Sequence, residues 1–313
     1  MRIAIIGTGA IGCLFGAILK KGGRDVVLLG RCRETVEAIQ NHGVVLEEQG
    51  AKESVRLSVF LNPAEAGTAD IAILAVKAYD TKGALPSVVS LLGKDGAVLT
   101  LQNGIGNAQI LAGTLGADRV LLGTTAHGSN VVFPGHVRHA GVGDTLLGET
   151  SGACSQRAED VAACFTSGGI ASRAVENAPG FLWLKLFINV AINPLTALLQ
   201  VRNGALLDIP GVPEMMHRVV SEAEAVARAR GIEVPCKDVM KKTGQISRAT
   251  GANVSSMLQD IRAGRRTEID FINGAVARLG GETGVPTPYN EVLAAAVKAL
   301  EERAKLPPEK LPD

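Results

Sequence analysis

At 313 residues, with 46% hydrophobic and 20% charged residues, the chain can fill the cores of two soluble domains. A net charge of +1 argues against nucleic acid or an acidic membrane surface as the main partner, and 3% aromatic residues argues against base-stacking platforms. The cysteines, Cys13, Cys32, Cys154, Cys164 and Cys236, are scattered and form no C-x-x-C pair, which fits a reduced, cytoplasmic setting.

In chain order, Arg2–Gly7 (RIAIIG) reads as a buried strand, Gly12–Gly22 as a helix and Asp25–Gly30 (DVVLLG) as a second buried strand. Further strands are expected at Val55–Leu61, Asp70–Val76 and Ala97–Leu101. Continuous apolar runs separated by helices indicate a parallel sheet covered on both faces. Residues 119–150, rich in Gly, Val, Thr and His, read as strands joined by tight turns and are expected to extend that sheet in antiparallel fashion. From about residue 176 the chain turns helical: Phe181–Leu199, bent or interrupted at Pro194, then Pro213–Arg230 ended by Gly231, Asn253–Ala263, Glu268–Leu279 and Tyr289–Ala304. Thr267 and Asp270 resemble a capping pair, and the final KLPPEKLPD reads as a frayed tail.

Two stretches have the look of membrane segments. Residues 1–21 are apolar but punctuated by four glycines. Residues 181–201 have the length of a span, yet Lys185, Asn189, Asn193 and Pro194 interrupt them. Both are read as soluble structure, with no membrane partner.

Gly7-Thr8-Gly9-Ala10-Ile11-Gly12 is a complete G-x-G-x-x-G between an apolar strand and a helix, with a second strand closing the unit. Gly7 allows the tight turn, Gly9 lets the backbone approach a pyrophosphate, and Gly12 lets helix and strand pack closely. The helix start offers N–H groups and a positive dipole end to phosphates. The predicted fold is therefore α/β: a Rossmann-type, doubly wound sheet over residues 1–175, followed by an all-helical domain over residues 176–313. An NAD site places Asp or Glu at the end of the second strand. This chain has Gly30-Arg31-Cys32-Arg33 there, and Glu34 lies too far along. A guanidinium pairs with a 2′-phosphate where a carboxylate would repel it, so NADP(H) is the expected cofactor, with Arg31 the first choice and Arg33 the second. The competing reading is a merely solvated arginine. Lys77, after the DIAILAV strand, and Asn103, after VLTL, fall on the same carboxyl edge of the sheet.

Lys185, Asn189 and Asn193 are spaced i, i+4, i+8, so they share one face of an otherwise apolar helix. This reads as a polar wall facing a cleft; hydrogen bonding between helices is the alternative. Burial lowers an amine's pKa and makes it a useful proton donor near neutrality, which suits reduction of a ketone. By physics alone, Glu268 serves a helix dipole and Ser256 caps a turn.

Together these residues resemble the ketopantoate reductase family. The matching segments are GTGAIG, AVKAYDT, LQNGIG, LWLKLFINVAINPLTAL, RNGAL and NVSSMLQDIRAGRRTEIDFINGA, in the family's order along nearly the whole chain. The resemblance implies NADPH-dependent reduction of 2-dehydropantoate in the supply of pantothenate and coenzyme A. It implies Lys185 as proton donor, Glu268 beside it and near the nicotinamide ribose, and Asn103 where nicotinamide and substrate meet. It further implies Asn189, Asn193, Asn203 and Ser256 on the substrate, and Ser129 on the cofactor. No arginine clamp for the substrate carboxylate is evident; Ser256 with backbone N–H groups, Arg262 or Arg266 are the candidates. Two other readings stay open: a reductase of another small 2-keto or hydroxy acid, and a non-catalytic NADP(H)-binding sensor. His127, His136 and His139 are close in sequence but lack a paired carboxylate or thiolate, so no metal site is expected. A homodimer is compatible with the sequence.

Overall fold

A computed structural model describes residues 1–303 and 305. The expected tail lies, residue 305 apart, outside the described residues. The chain divides into two compact units: Met1–Gln102 with Gly106–Pro179, and Asn103–Ile105 with the described residues from Gly180 onward.

The first unit runs β1 (Arg2–Ile6), α1 (Ala10–Lys21), β2 (Asp25–Leu29), α2 (Arg33–His42), β3 (Val44–Glu48), β4 (Ala51–Val55) and β5 (Ser58–Phe60). It continues with α3 (Pro63–Ala66), β6 (Ala69–Leu74), α4 (Thr81–Leu91), β7 (Leu92–Thr100), α5 (Asn107–Leu115) and β8 (Val120–Thr125). Then come β9 (Gly128–Phe133), β10 (His136–Gly141), β11 (Thr145–Glu149), α6 (Gln156–Ser167) and β12 (Ser172–Ala174).

Eight strands form one sheet in the order β12-β11-β8-β7-β6-β1-β2-β5. The central strands are parallel, and their residues are buried because helices cover both faces of such a sheet. β1 lies between β2 and β6, so chain connections leave it in opposite directions. The crevice outside its carboxyl end is where such sheets bind ligands. Ladder bonds reach the strand ends: the Gly7 amide donates to the Leu29 carbonyl at 2.8 Å and the Ala75 amide to the Ile6 carbonyl at 2.9 Å. The loops after β1, β2 and β6 are thus held side by side.

The expected antiparallel extension is only partly formed. β11 pairs antiparallel with β8, but β9 and β10 leave the main sheet. They join a second sheet of order β4-β3-β10-β9, in which β10 pairs in parallel with β3. The expected strand Val55–Leu61 resolves into the end of β4 and the short β5. The three histidines belong to this second sheet and to the turn entering it. His136 Nε2 lies 3.0 Å from a Glu47 oxygen, His139 Nδ1 lies 2.6 Å from a Glu48 oxygen, and His127 Nδ1 lies 2.9 Å from His139 Nε2.

The second unit, entered within α7 (Ala178–Leu199), continues with α8 (Val212–Ala229), α9 (Val239–Ala249), α10 (Ser256–Arg262), α11 (Asn273–Thr283) and α12 (Pro288–Arg303). The sequence reading missed α9 and expected one helix from Glu268; instead a short 3-10 turn, Ile269–Phe271, precedes α11. α7 is long and apolar enough to cross a membrane, but 61% of its most apolar window is buried within the protein. Trp183, Leu186, Phe187, Val190, Ala191 and Leu195 from this helix form the centre of the second unit's core. By burying its apolar faces, α7 acts as a core helix.

Pro194 does not interrupt α7. A proline removes the N–H that would reach the carbonyl four residues earlier, here that of Val190. The buried Asn273 side chain takes its place, donating from Nδ2 to the Val190 oxygen at 3.0 Å. A second contact of Nδ2, to Asn290 Oδ1 at 3.0 Å, anchors that amide. An unpartnered buried carbonyl costs on the order of 1–3 kcal/mol. Asn273→Leu is therefore expected to lower stability by about that amount in urea unfolding. In a Pro194→Ala background, which restores the helical donor, the loss should be smaller.

Candidate active site

The glycine loop follows β1 directly. Gly7 has φ +116°, and a Cβ there would stand 2.8 Å from the Ala75 carbonyl. A Cβ on Gly12 would meet the Gly7 oxygen at 1.8 Å, so α1 and the loop can pack only through glycine. Gly9 is different. Its φ of −82° suits any residue, and a Cβ would meet no protein atom within 4 Å. Nothing in the protein itself requires glycine there, whereas an approaching phosphate does. No side chain caps α1, whose first turn includes Ala10, Ile11 and Gly12 after Thr8 and Gly9 in the loop. A cofactor pyrophosphate fits this uncapped helix start. The Ser129 hydroxyl, on β9, donates to the Ala10 carbonyl at 3.2 Å and so borders the same turn.

Arg31 follows β2, and Lys77 follows β6, on either side of the β1 loop. Arg31 meets Asp80 in a bidentate pair, Nη1 to Oδ1 at 2.8 Å and Nη2 to Oδ2 at 2.7 Å. The second candidate, Arg33, opens α2 and lies 3.6 Å from Glu37 one turn on. Sequence reading overlooked Asp80. Its one available signal, an acid before Thr81 and an apolar helix, has the form of an ordinary N-cap. Gln102 was also underrated. Buried at the end of β7, its amide donates to the Val76 carbonyl at 3.0 Å and to Thr81 Oγ1 at 2.9 Å, tying the Lys77 loop to the β7 loop.

The three residues after Gln102 pack with the second unit. Asn103 Nδ2 donates to Glu268 Oε2 at 3.1 Å, and the Ile105 amide donates to the Phe271 carbonyl at 2.9 Å. Gly104, at φ +82°, presses against that carbonyl so closely that a Cβ would lie 2.2 Å from it. The buried Glu268 sits just before the 3-10 turn. The expected capping pair there is not formed: Asp270 turns to Arg266 and Lys298, while Thr267 receives the Ile269 amide and binds Glu301.

Lys185, Asn189 and Asn193 stand on successive turns of the unbroken α7. Burial lowers the Lys185 ammonium and the Glu268 carboxylate opposes that shift in part, which leaves it at about 8. The residue retains some surface, so its proton can be replaced from solvent. Asn193 is buried and Asn189 partly so. Asn203 is held by its Nδ2 to Thr250 Oγ1 at 3.0 Å, while its Oδ1 is buried with no protein partner. Ser256 is the exposed first residue of α10. The cap is its neighbour Ser255, which accepts the Leu258 amide at 3.1 Å. Of the arginines considered for a substrate carboxylate, Arg262 holds Gln200 at the end of α7, and Arg266 pairs with Asp270 at 3.1 Å.

The parallel sheet with its uncapped glycine loop defines a dinucleotide-binding α/β protein. The family described as ketopantoate reductase PanE/ApbA matches residues 3–152, and its C-terminal part matches residues 179–301. A 2-dehydropantoate 2-reductase of Halobacterium salinarum is 39% identical over 302 residues, 95% of this chain and 98% of the relative. A PanE/ApbA family ketopantoate reductase from Ralstonia eutropha, 36% identical, superposes with a TM-score of 0.89 over 98% of this chain and 100% of its own. A D-mandelate dehydrogenase in ternary complex with NADH and anilino(oxo)acetate is 30% identical, with a TM-score of 0.92 over 98% of this chain and 100% of its own. The chain belongs to the ketopantoate reductase family.

The two glycines of the loop should separate in experiment. Gly9→Ala is expected to leave the thermal midpoint unchanged while weakening binding of a nicotinamide dinucleotide by about tenfold or more. Gly12→Ala is expected to lower stability itself, by roughly 1–3 kcal/mol, because the helix and loop must move apart.

Proposed function

We propose that this protein reduces 2-dehydropantoate to pantoate with NADPH, a step toward pantothenate and coenzyme A, in the cytoplasm. The observation that carries the reading is Lys185: an amine on an apolar helix, with its pKa lowered to about 8 and a buried carboxylate on the same unit. Family membership and the fit of the glycine loop to a pyrophosphate support it.

The cofactor, when bound, supplies the hydride that the keto carbon takes up. Gly7, Thr8, Gly9, Ala10, Ile11 and Gly12 would hold its pyrophosphate, Ser129 would border it, and Arg31 with Lys77 would meet its 2′-phosphate. Lys185 gives its proton to the keto oxygen, which becomes the hydroxyl of the product. A donor with a pKa near the working pH is charged when needed and releases its proton readily. Glu268 opposes the loss of charge on Lys185 and, through its bond from Asn103, fixes the amide proposed to meet both nicotinamide and substrate. Asn189, Asn193, Asn203 and Ser256 would bind the substrate's hydroxyl and carboxylate. Asn203 Oδ1 is buried without a protein donor.

The direction of the pH effect follows from the lowered pKa. Below about 8 Lys185 is an ammonium and can donate; above it the amine accumulates. The rate of reduction is therefore expected to hold level below about pH 8 and fall above it, while alcohol oxidation gains. Folding has its own dependence. Since the folded-state pKa lies below the ordinary lysine value of 10.5, the cost of charging Lys185 is absent above that pH, grows toward about 8, and is complete below.

The test is NADPH oxidation on adding 2-dehydropantoate, run beside NADH. Turnover with NADPH is expected, and Lys185→Ala should reduce kcat by about 10²–10⁴-fold with the fold intact. Absence of turnover in protein that binds NADPH would refute the reading. A second reading, reduction of a bulkier 2-keto acid with NADH, is favoured by the close superposition on the D-mandelate dehydrogenase. The kcat/KM ratio for 2-dehydropantoate over an aryl 2-keto acid separates the two.

A further inference from the structure

Asp80 occupies the N-cap position of α4, where a carboxylate ordinarily accepts a helix N–H, yet its side chain makes no such bond. Both of its oxygens go instead to the two terminal nitrogens of Arg31, at 2.8 and 2.7 Å. The strand order β6-β1-β2 places these residues on opposite sides of the glycine loop, so the ion pair bridges the carboxyl end of β1. Arg31 is 77% exposed and Asp80 22% exposed. The arginine is therefore open to a ligand, while the carboxylate that holds it sits deeper.

We propose that Asp80 sets the balance between NADPH and NADH by competing with the cofactor's 2′-phosphate for Arg31. The inference rests on the reading that Arg31 is the 2′-phosphate ligand. A guanidinium has five N–H donors, and the carboxylate takes two of them in the end-on fork that a phosphate would also use. The pair is electrically near neutral, so Arg31 adds little net attraction for a dianionic 2′-phosphate until it leaves Asp80. An unphosphorylated ribose meets no such conflict, since a carboxylate near the end of the second strand is the usual acceptor of its 2′-hydroxyl. Discrimination in favour of NADPH is accordingly narrower than Arg31 alone would give.

The experiment is calorimetric titration of the full chain with NADP⁺ and with NAD⁺, for the wild type, Asp80→Asn, Arg31→Ala and the double variant. Asp80→Asn keeps the shape of the side chain and removes its charge. It is expected to tighten NADP⁺ by about threefold or more and not to tighten NAD⁺. In the Arg31→Ala background the same change should alter NADP⁺ affinity by less than about twofold, because the competed group is gone. Three results would overturn the proposal: an unchanged or weakened NADP⁺ affinity in Asp80→Asn, equal tightening of both cofactors, or a full gain persisting without Arg31. Failure of the underlying reading looks different. It would appear in Arg31→Ala alone, as an equal loss for NADP⁺ and NAD⁺.

Discussion

An amine is costly to bury, and the second unit is built to keep one on its most apolar helix. α7 contributes Trp183, Leu186, Phe187, Val190 and Leu195 to the core, yet on the same helix it carries Lys185. Two features make that tolerable. Glu268, itself buried, offsets part of the desolvation, and the residual exposure of Lys185 leaves it a path to solvent. The helix is continuous through Pro194, and Asn273 satisfies the carbonyl that the proline abandons.

The first unit is built around a helix start that no side chain caps. A parallel sheet whose connections diverge at β1 leaves a crevice at its carboxyl edge, and an uncapped helix start points its N–H groups there. Gly7 and Gly12 are demanded by the protein's own packing, whereas Gly9 opens onto empty space. On the flanking loops, Arg31 is countered by Asp80. The two units thus handle charge in opposite ways: one desolvates a cation, and the other exposes a cation that a neighbouring carboxylate restrains.

Much of this was legible in the sequence where the physics is local. The glycine spacing, the apolar runs of β1, β2 and β6, and the four-residue period of Lys185, Asn189 and Asn193 each reflect constraints that act within a turn or a strand. The second sheet was not legible. Its strands are short, half exposed and polar, and β10 finds its partner β3 far away in sequence. Nor could the sequence choose between adjacent serines. Ser255 caps α10 and binds Thr196 because it faces the core, which leaves Ser256 exposed. The Thr267–Asp270 cap failed for a similar reason, since Lys298 on α12 drew the Asp270 side chain away and Glu301 took the Thr267 amide that Asp270 would have accepted.

The sequence by itself determined the fold class, the glycine loop after β1, the arginine at the end of β2 and the polar stripe of α7. Each of these depends on residues within a few positions of one another, where backbone sterics and periodicity decide the outcome. Only the tertiary structure decided that Asn103 joins Glu268, that Asn273 repairs the helix at Pro194, and that Arg31 is held by Asp80. These are pairings between side chains distant in the chain. Their reason is that a buried donor, acceptor or charge takes whichever partner the packed fold brings within reach, and no local pattern records that choice.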